Sequence, residues 1–331
     1  MPVPYSLLDL APISEGSGVK DALENSRKMA VQAEQDGYER VWLAEHHGMR
    51  GVASSATSVV LSHIGHATST IKIGAGGIML PNHAPLVIAE QFGTLAALFP
   101  ERIELGLGRA PGTDMATARA LRRNLQSDVD NYPQDIRELQ SYFDAPSDTP
   151  SIIAIPGQNT HIPLWLLGSS LYSAQVAAKM GLPYSFASHF APEHLFDAIS
   201  VYRNMFTPSV QCAEPKVMAG VMVVVADTDD EAEYWFTSVK QQFMNMRRGL
   251  NKPFAKPVKD LSQICTAEDE FMLANVLRYA LVGSKNTVAE RLEQFASSTT
   301  IDEIIVSMPI FDIDARLKSV NLFADIAAKA N

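Results

Sequence analysis

Apolar runs and helix-period patterns alternate along almost the whole chain. Eight short segments read as strands: 4–10, 40–44, 71–80, 102–107, 163–168, 184–187, 216–226 and 303–308. Several, such as VMAGVMVVVA and EIIVSM, are nearly continuous apolar runs. A parallel strand covered on both faces reads this way. Helical patterns fill the intervals at 21–36, 54–69, 86–99, 133–143, 172–180, 193–206, 229–245, 286–296 and 313–328. In the first, Ala22, Ser26, Met29 and Ala33 share one face, with Leu23 and Ala30 beside it, and Gly37 supplies the stop.

Strand–helix alternation predicts a parallel sheet, and eight units predict a closed α/β barrel of the (β/α)8 TIM type. Such a barrel needs about 250 residues, so insertions are expected. They fall after strand four, at 110–132 and 144–162, and after strand seven, at 227–302. Within the latter, Arg247–Glu270 is polar, basic and proline-containing, and reads as a long lid-like loop. No Pro/Gly/Ser linker divides the chain, so one domain over 1–331 is expected. The alternative architecture is an open doubly wound sheet with a second lobe.

Composition narrows the function classes. Hydrophobic residues make up 47% and charged residues 19%, which excludes a disordered or fibrous chain. With 27 Lys and Arg against 37 Asp and Glu, the net charge of −10 disfavours nucleic acid and anionic membrane surfaces. The densest apolar run, Ala219 to Ala226, is too short to span a bilayer, and the MPVPY start lacks a signal-peptide pattern. Cys212 and Cys265 form no CxxC, so neither a disulfide framework nor a thiolate zinc site is expected, and the cytoplasm is the expected compartment.

Four segments could carry chemistry. The run VWLAEHH ends strand two, and strand C-termini form the active face of a barrel. Alternation puts Trp42, Ala44 and His46 on one face, and Leu43, Glu45 and His47 on the other. One histidine would therefore face the barrel mouth as a candidate acid/base group, or both are ordinary strand-end histidines. No metal site is expected: consecutive Glu45, His46 and His47 cannot all face one ion, and no HExxH occurs. His63 and His66 lie three apart, on a helix expected outside the barrel. In strand three, Gly74, Gly76 and Gly77 mark either a barrel-corner kink or a flat ligand lying against bare backbone. LGLGRAPG ends strand four; its GxGxxxG spacing and Pro111 do not fit a dinucleotide fingerprint, but Arg109 is placed for an anion or ring contact. Finally, Gly168, Ser169, Ser170 and Ser173 lead from strand five into a helix. That turn offers N–H and O–H donors to one phosphate, or is plain serine capping.

At these motifs the chain resembles the bacterial luciferase-like flavin-dependent monooxygenases, over about residues 5–330. The resemblance is carried by SLLDLAP, GYERVWLAEHH, IKIGAGGIMLP, LVIAEQF, RIELGLGRAPG and LWLLGSSLYSAQVAAKMGLP. It implies a (β/α)8 barrel that binds FMN, with a strand-three bulge at Gly76–Gly77, often a non-proline cis peptide, under the flavin ring. It implies Arg109 near the flavin phosphate, and Ser169, Ser170 and Ser173 in the phosphate turn. His46 matches the active-site histidine, Glu45 is its supporting neighbour, and the mobile lid falls on Arg247–Glu270. The chain departs from the pattern where Gly108 replaces a reactive cysteine of some members. Ala84 separates His83 from Pro85, so no role is carried over to His83, and Ser169 stands where luciferases often have Glu. The implied reaction uses reduced FMN and O2 to oxygenate a small organic substrate, in a homodimer fed by a separate NAD(P)H:flavin reductase. A deazaflavin-dependent hydride-transferring oxidoreductase and a non-catalytic flavin-binding protein are the alternatives.

Overall fold

The computed structural model describes residues 3–110, 114–121, 131–145 and 152–329. Much of the expected insertion at 110–132, and part of that at 144–162, lies outside the described residues. The strands are β1 (Tyr5–Asp9), β2 (Arg40–Leu43), β3 (Lys72–Met79), β4 (Ile103–Gly108), β5 (Leu164–Gly168), β6 (Tyr184–Phe186), β7 (Val217–Val225), β8 (Leu281–Gly283) and β9 (Glu303–Ser307). Every pairing is parallel, and β1–β7 with β9 close into a ring through β6–β7, β7–β9 and β9–β1. The expected (β/α)8 barrel is therefore the observed one. β8 is an addition to it. At nine residues β7 outruns β9, and its free end, Val223–Val225, pairs with Leu281–Gly283.

The helices are α1 (Val19–Gln35), α2 (Thr57–Gly65), α3 (Pro85–Leu98), α4 (Met115–Leu121), α5 (Tyr132–Phe143), α6 (Leu171–Met180), α7 (Leu195–Met205), α8 (Asp229–Arg247), α9 (Ala267–Val276), α10 (Lys285–Ser298) and α11 (Ile313–Ala327). α4 and α9 lie where loops were expected. Thr266 and Asp269 form a reciprocal capping box that starts α9 inside the polar segment. Among the described residues no helix is long and apolar enough to cross a membrane.

Side-chain alternation divides the core in two. Leu7, Val41, Ile73, Leu105 and Val306 pack outward under the helices. Leu8, Trp42, Trp165, Met218 and Ile305 fill the barrel interior, where the two indoles meet edge to face at 5.6 Å. Two residues toward the strand N-termini lies a buried polar floor. Arg40 Nε donates to Glu303 at 2.7 Å, Arg40 Nη1 donates to Glu104 at 2.6 Å, and Ser6 also donates to Glu303. The floor and the indole layer leave the opposite, C-terminal mouth of the barrel as the place for a ligand.

That mouth is partly roofed. After α8 the chain returns over the loops that follow β1 and β2. Phe254 N donates to Ile13 O at 2.8 Å, and Glu15 N donates to Phe254 O at 2.9 Å. Asn251 bonds both Gly48 O and Arg50 N at 2.7 Å. Phe254 is buried with Met222, Val224, Phe236 and Ile310. The expected lid segment is thus docked on the loops after β1 and β2, and ends in a short 3-10 turn at Leu261–Gln263 and then α9.

Candidate functional site

His46 lies on the run leaving β2, two residues past Ala44 and four past Trp42 of the barrel interior. Its backbone N–H donates to Ser54 O at 3.3 Å, which fixes the strand exit. Its Nδ1 is buried and bonded to no protein atom. Burial lowers the pKa of this imidazole, His47 pushes the same way, and Glu45 opposes both.

A second histidine, which the sequence reading did not single out, shares this mouth. His189 follows β6 in a tight turn, where Ser188 N bonds Phe186 O and Ser188 Oγ donates to Gly220 O at 2.6 Å. Its ring lies against Gly220 of β7, and a Cβ there would run into the imidazole, including Cε1 at 3.1 Å. Its Nδ1 is likewise buried and unbonded. Burial and the neighbouring His46 depress its pKa to about 4, so at neutral pH the ring is uncharged. An unbonded buried polar atom costs about 1–3 kcal/mol, and both of these nitrogens are buried without a protein partner.

The glycines of β3 are explained in part by packing. The register between β3 and β4 shifts between Gly76 and Ile78, and the Gly76–Gly77 peptide is cis. A Cβ on Gly76 would meet Leu8 and Trp42 at 2.8 and 2.9 Å, and one on Gly77 would meet Gly106 O at 2.7 Å. The result is a bulge of bare backbone at the mouth.

The turn after β5 is built from its own serines. Ser170 caps α6 by accepting from Ser173 N, and Ser173 Oγ donates to Ser170 O at 2.7 Å and touches Tyr184 Oη at 3.1 Å. Ser173 is buried with its hydroxyl committed, and Gly168 packs so tightly against it that a side chain would not fit. These two residues shape the turn. Ser169, Ser170 and the first-turn amides of α6 are its donor surface. Arg109, just past β4, lies 4.3 Å over the Tyr172 ring in the same helical turn. The structure therefore brings Arg109 to the serine turn, an arrangement of cation, amides and hydroxyls that suits a phosphate.

Glu45 points the other way. Its Oε1 is 2.7 Å from His47 Nε2 and 2.8 Å from His83 Nε2, and its Oε2 accepts from Met79 N at 3.1 Å. Burial alone would raise its pKa; the bonds from His83, His47 and the Met79 amide bring it below the ordinary value. Glu45 thus acts on His46 only through space, while His83, to which no role was carried over, is its direct partner.

These features match known proteins along the whole chain. Residues 3–302 match the family model described as luciferase-like monooxygenase. A luciferase-like monooxygenase of Escherichia coli is 48% identical over 98% of this chain and 97% of its own. The solved structure of apo-MsnO8 superposes with a TM-score of 0.87 at 31% identity, covering 98% of each chain. At 16% identity, where only the fold is informative, a type II Baeyer-Villiger monooxygenase from Pseudomonas putida solved with FMN gives a TM-score of 0.74 over 100% of this chain and 99% of its own. That protein is the oxygenating constituent of 3,6-diketocamphane monooxygenase. With its closed parallel barrel, its bulged third strand and its histidine at the mouth, the chain belongs to the luciferase-like monooxygenase family.

Proposed function

We propose that this chain is the oxygenating component of a two-component flavin-dependent monooxygenase, using reduced FMN and O2 to oxygenate a small organic substrate. The observation that carries the reading is the placement of Arg109 over Tyr172 beside the Ser169–Ser170 turn, at the same barrel mouth as the unbonded His46. Reduced FMN, when bound, supplies the electrons that activate oxygen. Arg109, Ser169, Ser170 and the α6 amides would hold its phosphate, with Gly168 and Ser173 keeping the turn in shape. The Gly76–Gly77 bulge would lie beside the ring. His46 would exchange a proton at the reacting atoms, and Glu45 would hold the neighbouring loops. The strap at 251–254 would keep water out of the mouth.

The chain's glycine cluster at 106–112 has the wrong spacing and a proline for a dinucleotide fingerprint, so a separate NAD(P)H:flavin reductase would deliver reduced FMN. The test is reconstitution. Purified protein with FMN and NADH is expected to consume NADH slowly or not at all. Adding a flavin reductase, O2 and a panel of small organic substrates labelled by 18O2 is expected to give oxygenated product. His46→Ala is expected to slow that turnover by about 10²–10⁴ with FMN affinity kept. Rapid NADH oxidation by the chain alone would point instead to a self-sufficient oxidoreductase.

A further inference from the structure

The described residues include five fully buried carboxylates, and four of them face arginine. Asp9 pairs with Arg316, Glu104 and Glu303 with Arg40, and Asp269 with Arg248. Glu45 differs: its ion-pair partners are the imidazoles of His47 and His83. A guanidinium is always charged, whereas an imidazole carries a full positive charge only in acid. Glu45, at 1% exposure, is thus the buried carboxylate that faces two imidazoles rather than a guanidinium.

We infer that Glu45, His47 and His83 form a binding site for one divalent transition-metal ion of the zinc class. Glu45 Oε1 is 2.7 Å from His47 Nε2 and 2.8 Å from His83 Nε2, and one donor atom from each of the three residues lies within 4.8 Å of the others. One carboxylate and two imidazoles are a donor set that zinc and ferrous iron accept, with positions left for water. The ligands come from firm backbone. Glu45 and His47 meet each other on the segment leaving β2, and His83 ends the Leu80–Asn82 turn that leaves β3. The Met79 amide holds the second carboxylate oxygen, an outer bond of the kind that orients metal ligands. His47 is 13% and His83 25% exposed, so an ion can enter from solvent. Seating the ion requires the hydrogen-bonded contacts to open by about 0.6 Å, to the spacing of tetrahedral donors about 2.0–2.2 Å from zinc. Each imidazole gives its Nε2 lone pair, its proton moving to Nδ1 or to solvent, with no redox change. No metal site was expected from sequence, because consecutive Glu45, His46 and His47 cannot all face one ion; His83, 36 residues beyond His47, stands in place of His46.

The test uses the full chain, stripped with a chelator and titrated with zinc chloride at pH 7.5 by calorimetry, with no flavin present. The expected result is one zinc per chain with an affinity of about micromolar or tighter, visible cobalt bands after substitution, and a zinc-dependent rise in melting temperature. His83→Gln retains a donor for Glu45 but is a poor ligand. It and His47→Gln are each expected to keep the apo melting temperature and to lose zinc affinity by about a hundredfold. Glu45→Gln is expected to lose it as well, while His63→Ala on α2 changes nothing. No zinc bound at about 100 µM, or binding that survives both His83→Gln and His47→Gln, overturns the inference. Neither result bears on whether FMN binds.

Discussion

His189 makes a quantitative prediction about pH. Its pKa is depressed to about 4 from an ordinary 6.5, because the ring is buried against Gly220 and faces His46. A histidine whose pKa is lower folded than unfolded takes up its proton more readily in the unfolded chain. Its contribution is therefore neutral above about pH 6.5 and turns destabilising as pH falls, saturating near the folded value. The gap of about 2.5 units corresponds to about 3 kcal/mol below pH 4, of which about 2 kcal/mol is lost by pH 5. The assay is urea unfolding of the native chain and His189→Asn at pH 7.5, 6.5, 5.5 and 5.0. Asn cannot titrate, so its curve should fall less steeply, by about 2 kcal/mol over that range. His46, whose pKa is also lowered by burial, remains in both proteins and largely cancels. Absolute stability of the variant does not enter, since the slope is what is read. Parallel curves for the two proteins would refute a buried neutral His189.

Two further predictions follow from the floor and the outer face. Arg40→Met leaves Glu104 and Glu303 buried without their guanidinium, and should cost about 3–5 kcal/mol in urea unfolding; a change below 1 kcal/mol would mean that water or Lys72 and Lys216 compensate. We also propose a homodimer, supported by Val59 on α2 and Val87 on α3, which are 68% and 45% exposed. Light scattering at micromolar concentration is expected to give twice the chain mass, and a monomer would contradict this.

The barrel was legible because its strands are covered on both faces and so read as apolar runs between amphipathic helices. β8 was not: three residues, Leu281–Gly283, carry no period, and they pair only because β7 is long. The capping box of Thr266 and Asp269 was readable, but the polarity around it masked α9. Arg40, Glu104 and Glu303 also had a signal, each being a charged residue among the first two of an otherwise apolar strand; what joins them is closure of the barrel across distant segments. His46 and Arg109 could be picked out because both end strands on the active face. His189 could not, because its importance rests on Gly220, 31 residues later, and on burial. The serine turn was found as a group, but its division into shaping residues, Gly168 and Ser173, and exposed ones depends on packing.

The proposed seat of the FMN phosphate is the α6 turn. The measurement is anaerobic titration of the chain, and of Ser170→Asp, with reduced FMN and reduced riboflavin, followed by calorimetry. Charged hydrogen bonds are worth about 1.5–3 kcal/mol each, so FMN should bind at least about tenfold more tightly than riboflavin. Ser170→Asp sets a carboxylate against the phosphate and should erase that preference while leaving riboflavin nearly unchanged. Equal affinity for the two flavins, equal losses on substitution, or binding of a deazaflavin in place of both would contradict the account.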